Sequence, residues 1–157
     1  MLEKAPPSAA VELPPCDPRP GYEAAVQSVV LLGSVGHCAK GEACKRWHLG
    51  GTATAWCVDA GGLFVTNHHC LAKAAGKVHG ICTLDGRVAP VTEVRAGDKA
   101  ADTCLFRVAG GGFTPLPLGQ PSAVGDPVRV ISHPERFFFV QTTGEVARYY
   151  RRPGRNR

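Results

Sequence analysis

The chain has 157 residues, 44% of them hydrophobic and 20% charged, with a formal net charge of +5. That balance is ordinary for a soluble globular domain and allows a core of normal size, so one domain with a second begun is the simplest expectation. No run approaches the roughly 18 to 20 apolar residues of a membrane span, and Glu3, Lys4, Glu12 and several prolines break up any apolar core of a secretory signal near the N-terminus.

Residues 1–21 are rich in proline, lack an apolar period and read as a disordered or extended leader. A first strand is predicted over 26–35 (VQSVVLLGSV), followed by a Gly/Lys/Cys-rich excursion over 36–49. Over 51–58 (GTATAWCV), Thr52, Thr54 and Trp56 alternate with Ala53, Ala55 and Cys57. This is a period of two with one face narrow enough for the interior of a small barrel. Asp59-Ala60-Gly61-Gly62 is a turn, and 63–66 returns as the paired strand. Residues 68–75 have room for about two helical turns before Gly76 stops them.

Strands then recur at 78–84, 87–94 and 103–108, with a turn at Asp85-Gly86. Nineteen glycines and thirteen prolines, scattered between these short apolar runs, fit frequent turns. The expected fold class is all-β, with a barrel over 22–114. A linker around Gly110-Gly111-Gly112 leads to 115–150, where strands at 127–132 and 137–150, the latter bent at Gly144, begin a second unit. Those strands are too few to close a barrel. The tail, 151–157, is basic; five arginines between Arg148 and Arg157 read as a solvated terminus, and neither nucleic acid nor a membrane is an expected partner.

Seven cysteines are many for a reduced cytosolic protein, and they lean toward disulfides and a periplasmic or secreted location. His37, Cys38, Cys44 and His48 place four nitrogen and sulfur donors within twelve residues. A Cys38–Cys44 disulfide, worth about 2 to 3 kcal/mol by loop entropy, is the preferred expectation. A tetrahedral zinc site on the four residues is the alternative, with an unusually short spacer over 39–43.

The stretch 63–70 (LFVTNHHC) carries the chemistry: an apolar strand ends in Val65-Thr66 and is followed by His69-Cys70. It resembles the Val-Thr-x-x-His-Cys frame around the catalytic histidine of trypsin-like serine peptidases. Asp102, 33 residues later in ADTCLFRV, is similar to the strand-opening aspartate of the bacterial members. Val124-Gly125-Asp126-Pro127-Val128 with Ile131-Ser132-His133-Pro134, and then Thr143-Gly144-Glu145-Val146, resemble the start of that family's second barrel.

The resemblance implies a trypsin-like double β-barrel, the first barrel nearly complete and the second incomplete. It makes His69 the general base and Asp102 its orienting acid, with His68 and Asp98 as rivals, and it requires no cofactor. It also makes Cys70 a half-cystine, for which Cys57 is the nearest candidate partner; Cys82 and Cys104, on predicted strands, read as buried thiols that pack as small hydrophobes. None of Ser8, Ser28, Ser34, Ser122 or Ser132 sits in the Gly-x-Ser-Gly-Gly turn that supplies the family's nucleophile and oxyanion hole, so the chain reads as truncated before the catalytic serine. The expected function is a serine endopeptidase acting on peptides or proteins, fragmentary or inactive over these residues and prone to self-association through the second barrel. A non-catalytic peptide-binding or protein-binding module on the same scaffold is the alternative.

Overall fold

The structure, a computed structural model, describes residues 20–37, 47–72 and 78–149. The alternation in 51–58 does build a barrel wall. Strand β2 (Trp47–Asp59) pairs antiparallel with β1 (Val29–His37), setting Val30 opposite Ala55 and Leu32 opposite Ala53. Small residues on β2 thus face branched ones on β1, which lets the walls approach. Gly33 marks the tightest point, because a Cβ there would lie 2.6 Å from the Gly51 carbonyl oxygen.

From β2 the chain turns into β3 (Leu63–Thr66), which pairs with both β2 and β6 (Thr103–Val108) and sets Phe64 opposite Phe106. β4 (Val78–Cys82) pairs with β1 and with β5 (Val88–Asp98), and β5 pairs with β6. The order β1-β2-β3-β6-β5-β4 is a closed six-stranded barrel, so the first barrel, expected to be nearly complete, has no open edge. Its core holds Val30, Leu32, Ala55, Cys57, Phe64, Ile81 and Phe106. Phe64 stacks on Phe106 at 5.8 Å between ring centroids and meets Phe113 edge-on at 5.1 Å. Phe113, just past the Gly110-Gly111-Gly112 linker, is buried in that core and donates its N–H to the Ala60 carbonyl.

Three expectations need correction. Residues 22–28 are helical: α1 (Tyr22–Ala25) is followed by a 3₁₀ turn (Val26–Ser28), and the strand starts only at Val29. Tyr-Glu-Ala-Ala is a helix-tolerant run with an acid in its first turn. The buried positions Val26 and Ser28, two apart, resemble a strand's inner face in sequence. Second, β1 and β2 run into the supposed excursion, with His37 opposite Trp47. Third, Gly144 makes no bend; it pairs with Val128 inside an unbroken ladder.

The second sheet has two strands, β7 (Pro127–Ser132) and β8 (Val140–Glu145), joined through a 3₁₀ turn (Pro134–Arg136). The all-β, double-barrel class holds, with the second barrel represented by this ribbon. Helix α2 (His68–Ala72) follows β3 directly. Among the described residues no helix is long and apolar enough to cross a membrane.

Candidate active site

The end of β3 is fixed by Thr66, which is buried and donates its hydroxyl to the Thr54 carbonyl at 2.8 Å. Chain direction changes at Asn67, so α2 starts with His68 and His69 at the barrel rim. The β5–β6 connection arrives at the same rim: Asp98 pairs with Thr103, and the intervening turn ends at Asp102, whose φ is 52°. Asp is among the few non-glycine residues that tolerate this left-handed conformation. Its cost is offset by the hydrogen bonds that Asp102 receives.

Those bonds come from three consecutive residues. The His69 ring nitrogen Nδ1 lies 2.8 Å from Asp102 Oδ2, and the His69 backbone N–H donates to Oδ1 at 3.0 Å. The His68 backbone N–H donates to the Asp102 carbonyl at 3.1 Å. The amide of Asn67 donates to that carbonyl at 3.1 Å and to Oδ2 at 3.3 Å. The His69 backbone N–H, and next its imidazole, hold the Asp102 carboxyl below the usual carboxylate range. An ionised carboxylate only accepts hydrogen bonds, so Nδ1 carries the proton between the two residues and the basic lone pair is left on Nε2.

The rivals separate cleanly. The Asp98 carboxylate caps its own turn, accepting the Ala100 and Ala101 N–H groups at 2.8 and 2.9 Å. The His68 ring lies over β5, where a Cβ added to Gly97 would come within 3.1 Å of its Cδ2. His69 therefore faces the acid and His68 does not.

His69 opens onto a cleft of about 1340 Å³ between the barrel and the β7–β8 ribbon, lined among others by Thr54, Trp56, Val128, Ile131 and Thr143. Three hydrogen bonds tie the ribbon's side of this cleft to the barrel and α1. The His133 N–H donates to Thr54 Oγ1 at 3.0 Å, and the same hydroxyl lies 3.1 Å from His133 Nδ1. Tyr22 Oη donates to the Phe139 carbonyl at 2.8 Å. A family model for the trypsin-like peptidase domain matches residues 53–157, a span that includes the His69–Asp102 pair and both ribbon strands. The chain belongs to that family. No curated protein matches it.

In this trypsin-like peptidase domain the cysteines depart from expectation. Cys57, Cys70, Cys82 and Cys104 are all free thiols, so the Cys57–Cys70 disulfide is not formed. The reason is placement: Cys57 pairs opposite Phe64 inside the barrel and its thiol donates to the Asp59 carbonyl at 3.1 Å. Cys70 comes after the far end of β3, on α2. Burial pushes all four thiols up in pKa, which lowers their reactivity. Cys104 is a buried thiol as expected, and Cys82 is half-buried.

Of the candidate metal ligands, His37 and His48 lie in β1 and β2 opposite Trp47 and Gly36, while Cys38 and Cys44 fall outside the described residues. Among the described residues no cluster of three or more His, Cys, Asp or Glu side chains could hold a metal. Sequence reasoning passed over Asn67. The only sign of it was an amide-bearing residue just before a short helix, with its partner 35 residues away.

Proposed function

We propose that His69 and Asp102 are the general base and orienting carboxylate of a serine-type endopeptidase site acting on peptides or proteins, and that these 157 residues alone do not turn such substrates over. The observation that carries the first half is the 2.8 Å contact between His69 Nδ1 and Asp102 Oδ2 at the rim of the cleft. It fixes the imidazole so that Nε2 can take a hydroxyl proton, and it places a negative charge where the imidazolium would form. The second half rests on composition: no serine here stands in a Gly-x-Ser-Gly-Gly turn. A base without a positioned hydroxyl and backbone oxyanion donors has no covalent route to an acyl-enzyme.

The 157-residue chain, mixed with a pool of chromogenic peptides and a fluorophosphonate probe, is expected to give neither turnover nor labelling. Turnover lost in His69→Ala, or labelling of any serine, would overturn the inactive half and identify the nucleophile. The cleft also supports peptide binding without turnover, which isothermal titration with the same peptides would detect as saturable heat. Self-association belongs to the same proposal. Phe137 and Phe138 stay 69% and 52% exposed beside the ribbon, enough apolar surface to expect concentration-dependent sedimentation.

A further inference from the structure

We infer that Asn67 is a positioning residue that holds Asp102 in register with His69. This rests on the proposed role of the His69–Asp102 pair and adds to it a third side chain. Asn67 Nδ2 reaches two different acceptors of one residue, the Asp102 carbonyl at 3.1 Å and carboxylate Oδ2 at 3.3 Å. Both are acceptors only, so the amide must present its NH₂ group to them. A single planar group thereby ties the main chain of Asp102 to its side chain.

Such a tie has work to do here. Asp102 has a left-handed backbone, with φ 52°, and its side chain is part-exposed, so its carboxylate depends on hydrogen bonds as well as packing to hold its place. An exposed ion pair fixes geometry poorly, since water competes for both partners. The backbone N–H of His69 restrains Oδ1 and that of His68 restrains the carbonyl, but Oδ2, the oxygen facing the imidazole, has Asn67 as its other donor. Removing that amide leaves the carboxylate held by His69 alone, through its N–H on Oδ1 and its ring on Oδ2, and so loosens the register of Oδ2 with Nδ1 while α2 and the barrel stay in place. Asn67 itself is exposed, and its backbone carbonyl still accepts the Cys70 N–H.

The test is the protonation pattern of the His69 ring, read by ¹⁵N NMR on the full labelled chain at neutral pH. In the parent the Nδ1–H tautomer should dominate. Asn67→Ala should cut the Nδ1–H to Nε2–H ratio by about threefold to tenfold, the effect of losing one exposed hydrogen bond. Asn67→Asp, similar in shape but with no NH₂ to donate, should do the same. In an Asp102→Asn background neither change should alter the ring further, which a merely structural effect on α2 would not predict. An unchanged ratio in both Asn67 variants, with Asp102→Asn altering it, overturns the role of Asn67 alone. The same shift in the Asp102→Asn background overturns it too, since Asn67 would then act without Asp102. A ratio untouched by Asp102→Asn overturns the His69–Asp102 pairing, and with it the positioning role.

Discussion

The barrel and the β7–β8 ribbon are built from the same kind of strand, yet they hold together in opposite ways. In the barrel every strand has two neighbours, and β6 reads as a clean alternation in which Cys104, Phe106 and Val108 are all buried. In the ribbon each strand has one partner, and the same alternation buries almost nothing: Val130 is exposed, and β8 has no fully buried residue. Closure turns pattern into core. An open pair of strands has to draw its stability from contacts with something else, here Thr54 on β2 and Tyr22 on α1.

The largest effect should come from the barrel core. Phe106→Ala removes a fully buried ring stacked on Phe64 and should cost about 3 to 5 kcal/mol of unfolding free energy. Denaturant titration measures it, and a loss under about 1 kcal/mol would mean that the barrel collapses around the cavity more freely than a closed sheet allows. Breaking the ribbon's tether should cost less and act elsewhere. Thr54→Val leaves the His133 N–H without its acceptor, at about 1 to 3 kcal/mol. Hydrogen exchange should speed up across β7 and β8 while Phe64 and Phe106 amides keep their protection. Equal acceleration in both regions would show that they open as one unit.

Acid should act through the same tether. Burial pushes the His133 imidazole below its ordinary value, so the folded form resists the proton that the unfolded chain accepts. No contribution is expected above about pH 6.5; stability then falls as pH drops through that value toward the folded-state one. His133→Asn should flatten this limb, and a wild-type profile level between neutral pH and about pH 5 would remove His133 as its source. Asp102, held low by the His69 N–H groups, behaves as an acid stabilised when charged. Its share is present above about pH 3.9 and is lost only as pH falls through its folded value.

The contrast also explains what the sequence made legible. β2, β3 and β6 were readable because burial on one face writes a period of two. β5 has Val94 exposed, and its extension to Asp98 carries no such signature. The start of β1 misled because Val26 and Ser28 are buried from a 3₁₀ turn with strand-like spacing. His69 and Asp102 stood out because each begins or follows a recognisable strand, whereas Asn67 becomes meaningful only once the β5–β6 turn is folded beside it. The Cys57–Cys70 pairing failed for a related reason: only the folded register shows that Cys57 sits opposite Phe64 near the start of β3 while Cys70 lies beyond its end on α2. Phe113 carries no core signature in sequence, standing alone after three glycines, and only barrel closure creates the core that receives it.

The smallest effect concerns Phe113 and separates the two regions most sharply. The Arg87 guanidinium sits 4.2 Å from the centroid of the Phe113 ring and donates to the Gly111 carbonyl at 2.8 Å, covering the core's last aromatic from outside. Arg87 is exposed to water, so the cation–π contact and the hydrogen bond should together be worth about 1 kcal/mol. Arg87→Lys keeps the charge but loses the planar fork that serves ring and carbonyl at once, so it should recover only part of what Arg87→Ala loses. The change should appear in barrel unfolding and leave exchange in β7 and β8 untouched, because Arg87 and Phe113 bond to Gly111 and Ala60, away from both strands. An Arg87→Ala variant whose ribbon amides exchange faster would show that the Phe113 segment passes strain to β7, and that the closed barrel and the open ribbon are coupled through the chain joining them.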